Sequence, residues 1–479
     1  MDNNIENLEN FIKKQDIKFV NLKFIDFFGK DNGILIASEF INKNFINSGK
    51  IISGSLLNQY LKSDYKEYKL IPDINHFWID PFSQDNTVII YCDIFDFENN
   101  TYLYCDFRSL AKRAESYINT NGFANKVIFK VSPNFFLFDD VLWKTEMNGV
   151  FYQVNSKVLD WKVSGRFEEN YVFSLDEMFN KDTTGLSIDF SKDICSTMSN
   201  TLCSIGIPIE MHYSNKFNSN QCVLTMQNNS LLNQSDFFQI VKYIVHNVSH
   251  NYGKTSTFMP YPVVGIKDNI MYCSHFLVKD NVNLFFLKKN FNSSLNKDNI
   301  FFYYLSGIIK HIRALQAFTM PSVNSYKGIK SNANKSIFIS CYYLEKKEQS
   351  YCKFYLTSKN RYYQINICFM DSMINPYLAF SAIVMAGIDG VLNKIYYSTI
   401  LDQYILSQES KNRFYINNII LCNSLEESIQ SLKNDFNFLL NGNVFSKKFI
   451  QDYIKLKELE INKFKYLVHP FEFELYYNY

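Results

Sequence analysis

Residues 125–140 constrain the fold more than any other stretch, because a long apolar run surrounds two polar residues there. The sequence, NKVIFKVSPNFFLFDD, is rich in β-branched and aromatic residues, which favour a buried strand. Ser132 and Asn134 are two residues apart, so both side chains would leave a strand on the same face. We therefore expect a barrel-like sheet that directs these two uncharged side chains into one ligand-holding cavity.

The N-terminal part of the chain predicts a small unit rich in strands. An amphipathic helix is predicted at residues 5–14, and alternating apolar and polar residues predict a strand at 17–28. Another strand is predicted at 87–94, and Asp106 precedes a helix whose apolar residues form one stripe. The boundary between this unit and the rest of the chain is therefore predicted near residue 105.

Composition and charge exclude several classes of partner and site. Lys plus Arg total 49 against 47 for Asp plus Glu, so the chain has no strong field to hold nucleic acid or an anionic membrane. The most apolar helical stretch, 378–392, contains Asp389 and is shorter than the roughly 20 residues that span a bilayer. The ten cysteines form no C-x-x-C pair, and the first residues lack the pattern of a signal peptide. We expect a cytoplasmic protein without a membrane or nucleic-acid partner.

Two local motifs imitate functional sites. Gly253-Lys254-Thr255 resembles the end of a phosphate-binding loop, but Val248 stands where the earlier glycine is required. His246 and His250 are four residues apart on a predicted helix, but the glutamate of H-E-x-x-H is missing between them. We interpret the first motif as a helix end and the second as scaffold.

Several ordered segments resemble bacterial type I glutamine synthetase. They include KFVNLKFIDFFGK, SPNFFLFDD, VHNVSHNYGKTSTFMPYP and INPYLAFSAIVMAGIDGVLNKI, and the resemblance covers the whole chain. It implies an α+β fold with a small N-terminal β-grasp-like domain at 1–105. It also implies a large C-terminal domain of the glutamine synthetase type at 106–479, built on a curved antiparallel sheet, or half-barrel, with helices.

The resemblance also implies a reaction, which this chain lacks the residues to perform. The family phosphorylates the side-chain carboxylate of glutamate with ATP, and ammonia then displaces phosphate. Two divalent metals, Mg²⁺ or Mn²⁺, are held by five glutamates and one histidine. Aligned residue by residue, for example G-P-E-P-E-F-F on KVSPNFF, all six ligand positions have lost the metal-binding group: they are Ser132, Asn134, Asn215, Val223, Tyr272 and Asn366.

The positions that the resemblance implies for substrate binding are substituted too, and three of them replace arginines. Lys353 is a candidate substitute for one arginine, because the alignment around it needs a two-residue insertion. We predict no catalytic residue, no metal site and no cofactor; ATP with Mg²⁺ or Mn²⁺ is expected only if the family activity survives. The substituted positions are Ser53, Gly328, Asn334, Leu344 and Cys368.

Three hypotheses follow for the function. The first is a catalytically inactive member of the family, acting as an assembly or regulatory subunit. The second is an active synthetase, or a related ATP-dependent carboxylate–amine ligase, with a site rearranged around Glu210, His212 and Asp236. The third is a nucleic-acid-binding module at 327–363, where basic and aromatic residues interleave, although the near-zero net charge favours a solvated loop over a relic site. A metal-dependence assay separates the first two.

The C-terminal tail predicts assembly. Phe471, Phe473, Leu475 and Tyr477 make it too apolar to remain in water. In the resembled family this tail docks on a subunit of the opposing ring. We therefore expect a ring-shaped homo-oligomer, such as a dodecamer, or co-assembly with an active glutamine synthetase.

Overall fold

The computed structural model describes most of the chain and shows an α+β architecture, which confirms the predicted fold class. None of the helices among these residues is long and apolar enough to cross a membrane. The described residues are 2–26, 29–57, 66–156, 191–214, 221–264, 269–285, 300–328, 336–340, 352–359, 362–396 and 414–477.

The N-terminal part forms a six-stranded sheet in the order β2-β1-β5-β4-β3, with β6 beside β5. Strand β1 runs parallel to β5 and antiparallel to β2. Most side chains of β5 are buried, so it forms the centre of this sheet. The elements are α1 (Asp2–Lys14), β1 (Phe19–Ile25), β2 (Asp31–Ala37), α2 (Lys43–Ser48), β3 (Lys50–Ser53), β4 (Glu67–Ile79), β5 (Thr87–Asp96) and β6 (Thr101–Tyr102).

The rest of the chain is built on an eight-stranded sheet, a four-stranded sheet and a separate hairpin. The eight-stranded sheet has the order β13-β7-β15-β19-β18-β17-β20, with β16 beside β15, and the four-stranded sheet has the order β11-β12-β8-β14. Their pairs are antiparallel except β17 with β18. The strands are β7 (Lys126–Ser132), β8 (Asn134–Phe138), β9 (Asp140–Glu146), β10 (Gly149–Asn155), β11 (Ile209–Ser214), β12 (Gln221–Met226), β13 (Asn229–Ser230), β14 (Thr255–Thr257), β15 (Ile270–Lys279), β16 (Val282–Asn283), β17 (Ser336–Ser340), β18 (Cys352–Lys359), β19 (Tyr362–Asp371) and β20 (Phe414–Ile420).

The expectation of one continuous strand through residues 125–140 is wrong. The chain leaves the eight-stranded sheet after Ser132 and enters the four-stranded sheet at Asn134. Pro133 lies between them, and proline has no N–H to donate to a ladder, which explains the break at this residue. Ser132 is half-buried on β7 of the eight-stranded sheet, and Asn134 is buried on β8 of the four-stranded sheet.

Nine α-helices follow in the described part of this C-terminal region, and several begin as their sequences predict. The Asp106 carboxylate accepts from the N–H groups of Arg108 and Ser109 at 3.2 and 3.3 Å, and Asn375 caps the helix that begins at Pro376. They are α3 (Phe107–Thr120), α4 (Lys192–Ser204), α5 (Leu231–Asn251), α6 (Ile300–Thr319), α7 (Pro376–Leu392), α8 (Leu425–Asn434), α9 (Asn437–Leu440), α10 (Lys447–Tyr466) and α11 (Pro470–Tyr476).

Helices α6 and α7 approach each other closely at two glycines. A Cβ on Gly307 would lie 2.2 Å from the carbonyl oxygen of Ala386, and one on Gly390 would lie 2.1 Å from that of Tyr303. No side chain fits at such distances, so these glycines permit the contact. The two helices form the centre of the apolar core behind the eight-stranded sheet.

A buried cluster of charges connects the N-terminal sheet to helices α3 and α5. The Arg108 guanidinium lies 2.8 Å from Asp73 and 3.0 Å from Asp93 on the sheet, and 2.8 Å from Asp236 on α5. Lys112 adds contacts of 3.1 and 2.5 Å to Asp73 and Asp93. Burial disfavours the charged form of Asp73, but the two cations outweigh it and hold the pKa of Asp73 well below its ordinary value. The cluster therefore fixes the position of the N-terminal sheet.

Candidate functional site

The strand register brings most of the predicted metal-ligand positions onto neighbouring strands. Ser132 on β7 lies opposite Tyr272 on β15, and Asn134 on β8 lies opposite Val223 on β12. Strand β19, which carries Asn366, pairs with the other side of β15. Positions far apart in the sequence thus lie in one region, where the eight-stranded and four-stranded sheets meet.

The polar side chains in this region bond to one another. The Ser132 hydroxyl is 3.1 Å from Thr225 Oγ1, and the Ser274 hydroxyl donates to Asn366 Oδ1. Asn134 Nδ2 donates to the carbonyl oxygen of Ile270 at 2.7 Å. Asn134 Oδ1 is buried and has no hydrogen-bond partner among the described residues. Apart from that one oxygen, the donors and acceptors named here already form hydrogen bonds with other protein groups.

Glu210 survives from the family pattern but is paired with a cation. Its carboxylate forms an ion pair with the ammonium of Lys130, whose side chain is 27% exposed. Lys130 was not identified from the sequence as a site residue. Its position two residues before Ser132 on the same strand is the signal that would have found it, because such residues share a face.

The other two residues proposed for a rearranged site are also held by protein contacts. His212 lies between two hydroxyls of α4, with Nε2 3.2 Å from Ser196 and Nδ1 3.0 Å from Ser199. Asp236 is buried against Arg108 and accepts a 2.7 Å hydrogen bond from Tyr377. Asp236 therefore belongs to the charge cluster that fixes the N-terminal sheet, and its carboxylate is already neutralised there.

The residues in this region do not fit a pair of divalent metals. Mg²⁺ and Mn²⁺ prefer carboxylate oxygens, which offset the cost of removing water from a hard cation. The orphaned oxygen of Asn134 is a neutral donor, and Val223 offers no donor at all. Within the described ranges, no group of three or more His, Cys, Asp or Glu is arranged to hold a metal. Asn215 lies outside those ranges.

The predicted substrate positions are only partly described. Ser53 is exposed at the end of β3, with its hydroxyl 2.9 Å from that of Ser55. Gly328 is buried just after the short helical turn Val323–Tyr326, and Cys368 is buried on β19. Asn334, Leu344 and most of the 327–363 stretch lie outside the described residues, as does the Lys353 side chain.

The two misleading motifs have structural roles, as their sequences indicate. Helix α5 ends at Asn251, and Gly253 follows with a φ of +64°. The Lys254 ammonium lies 2.6 Å from Asp139. His246 Nδ1 lies 3.0 Å from the Ser256 hydroxyl, and burial lowers the pKa of this histidine. These contacts tie the end of α5 to the strands beside it.

Comparison with known proteins identifies the family. The family described as "Glutamine synthetase, catalytic domain" matches residues 104–476, and "Glutamine synthetase, beta-Grasp domain" matches residues 16–97. The chain belongs to the glutamine synthetase family. This membership explains why the register gathers residues from across the chain into one region.

Curated relatives match over the full length of both chains. A glutamine synthetase of Vibrio cholerae is 34% identical over 474 residues, covering 99% of each chain. A 3-hydroxylaminophenol mutase of Cupriavidus pinatubonensis is 33% identical over 478 residues, covering 100% of each chain. The glutamine synthetase of Escherichia coli is 32% identical over 473 residues, covering 99% of each chain.

Solved structures show the same fold. A glutamine synthetase of Plasmodium falciparum superposes with a TM-score of 0.82 at 24% identity, covering 98% of each chain. A structure titled as apo GmaS superposes with a TM-score of 0.73 at 17% identity, covering 98% of this chain and 99% of the other. These likenesses concern the backbone alone.

Proposed function

We propose that this protein is a catalytically inactive member of the glutamine synthetase family that acts through assembly. One observation carries the proposal. The described metal-ligand positions lie on neighbouring strands, as an active site would require, but carry Ser132, Asn134, Val223, Tyr272 and Asn366, none of them charged.

The reaction of the family depends on the groups that this chain lacks. Transfer of the γ-phosphoryl group of ATP to a carboxylate brings several negative charges together, and enzymes neutralise them with divalent metals and arginines. Loss of one such contact typically costs about 10²–10³ in rate, and the losses are not additive. Because every described ligand position is neutral, we expect no ligation at a useful rate.

Exposed apolar side chains support a role in assembly. On the hairpin β9–β10, Trp143 is 74% exposed and Phe151 is 51% exposed. On α11, Phe473 is 58% exposed and stacks on Tyr477, which is 74% exposed, with ring centroids 5.9 Å apart. Contiguous exposed apolar surface usually marks an interface. We propose a ring-shaped cytoplasmic homo-oligomer, such as a dodecamer, with domains at 1–105 and 106–479, or co-assembly with an active synthetase.

The alternative is an enzyme with a rearranged site. Glu210 and His212 both remain on β11, and a full-length relative named as a 3-hydroxylaminophenol mutase supports the idea that this fold hosts more than one reaction. In such an enzyme, the ion pair between Glu210 and Lys130 would have to break before the Glu210 carboxylate could take part in catalysis.

Activity assays on the purified protein separate the two proposals. One assay measures phosphate release from ATP in the presence of glutamate, ammonia and Mn²⁺, and a second measures conversion of 3-hydroxylaminophenol. An active bacterial glutamine synthetase is the positive control for the first assay. We expect rates no higher than the uncatalysed background in both. Turnover that is lost on Glu210→Gln would replace the first proposal with the second.

A further inference from the structure

The Lys130 ammonium stands among the former metal-ligand positions. Lys130 shares a face of β7 with Ser132, because side chains two residues apart in a strand point the same way. In the register it lies opposite Ser274, whose hydroxyl is bonded to Asn366. Its ion pair with Glu210 crosses from the eight-stranded sheet to β11 of the four-stranded sheet. The ammonium is thus placed where the two sheets meet.

The charges of this pair balance without any bound ion. Lys130 contributes one positive charge and Glu210 one negative charge, and Ser132 on the same strand and Ser274 opposite Lys130 are neutral. The Lys130 side chain is 27% exposed and that of Glu210 is 49% exposed, so the lysine is the more buried of the two. A second cation entering this region would meet a positive charge that is already in place.

We propose that Lys130 is the resident cation of the region where the two sheets meet and that it selects against divalent metals. The inference rests on the proposed function and adds a specific residue that prevents metal binding, beyond the loss of ligands. The Cα atoms of residues two apart in a strand are about 7 Å apart. While the Lys130 ammonium pairs with Glu210, that carboxylate is not free to ligate a metal, and the ammonium itself repels a dication, so we expect Lys130 to lower metal affinity by at least about tenfold. Restoring carboxylates at 132 and 134 is therefore insufficient to restore a metal site.

Mn²⁺ binding to restored variants tests this inference. The variants are S132E/N134E and the same pair combined with Lys130→Met, and free Mn²⁺ is measured by electron paramagnetic resonance. We expect the triple variant to bind Mn²⁺ at least about tenfold more tightly than the double variant. The matched control combines S132E/N134E with Lys126→Met, which removes a lysine at the exposed end of the same strand. It should bind Mn²⁺ with the same affinity as S132E/N134E alone. Equal affinities with and without Lys130 would overturn the inference.

A charge reversal covers the case in which the restored pair does not fold. Lys130→Glu places a second carboxylate beside Glu210, so this single variant should bind one Mn²⁺ per chain, and Glu210→Gln should abolish that binding. Lys126→Glu is the control and should bind none. If Lys130→Glu folds by circular dichroism and binds no Mn²⁺, Lys130 does not control metal binding in this region. Tight Mn²⁺ binding by the unmodified protein would instead refute the proposed function.

Discussion

His275 gives the protein a predictable sensitivity to acid. It lies on β15 next to Ser274 but faces the opposite side, where it is fully buried and stacks on Phe129 with ring centroids 5.2 Å apart. Neither ring nitrogen has a hydrogen-bond partner among the described residues. Burial lowers the pKa of His275 to about 3, because the charged ring has nothing to compensate it there.

The sign and size of the effect follow from the two pKa values. The pKa is about 3 in the folded state and 6.5 for an unperturbed histidine, so the unfolded chain binds the proton more readily. Because the folded protein holds this ring neutral, His275 makes its full contribution to the free energy of unfolding above pH 6.5. That contribution is lost as the pH falls towards 3. At about 1.36 kcal/mol per pKa unit, the free energy of unfolding should fall by about 2 kcal/mol between pH 7 and pH 5 from this residue alone.

Urea unfolding of the unmodified protein and of His275→Leu at pH 7, 6 and 5 measures this effect. Leucine fills a similar volume and does not titrate. Between pH 7 and pH 5, the free energy of unfolding of the variant should therefore fall by about 2 kcal/mol less than that of the unmodified protein. His250→Gln, which replaces an exposed histidine near the end of α5, is the matched control and should follow the unmodified protein. Identical pH dependence in the unmodified protein and His275→Leu would refute the reasoning.

Two further predictions concern stability and assembly. Arg108→Met leaves Asp236 and Asp93 buried without their principal cation, and should lower the free energy of unfolding by about 3–5 kcal/mol in urea titrations. A loss below about 1 kcal/mol would show that the cluster does not hold the N-terminal sheet in place. Deleting residues 470–479, or replacing Trp143 on the exposed hairpin with Asp, should reduce the particle mass measured by light scattering. A full-length protein that is monomeric at micromolar concentration would refute the proposed assembly.

The sequence predicts the fold class well, because its patterns depend on local chemistry. The Asp106 cap, the start of α7 at Pro376 and strands β1 and β5 each follow from a few adjacent residues, whereas strands β3 and β4 were not predicted. The resemblance supplies the arrangement of sheets, which no local pattern contains. The expectation of a continuous strand through 125–140 fails at Pro133, which has no N–H to donate to a ladder.

The contacts of the site could not be predicted from the sequence, because they depend on register between distant strands. The pairing of Ser132 with Thr225 and of Lys130 with Glu210 joins residues 93 and 80 positions apart. The exposed apolar hairpin was missed for a different reason. The stretch VLWKTE has the composition of an ordinary buried strand, and its exposure appears only once its neighbours are placed.

Calorimetric titration of the purified protein with Mn²⁺, in the presence and absence of ATP, measures whether this chain has a paired metal site. The positions that would hold two dications carry neutral side chains, and the retained Glu210 is paired with Lys130. We therefore expect no tight metal site under either condition. Stoichiometric binding of two Mn²⁺ per chain at micromolar affinity would show that the proposal of an inactive protein is wrong.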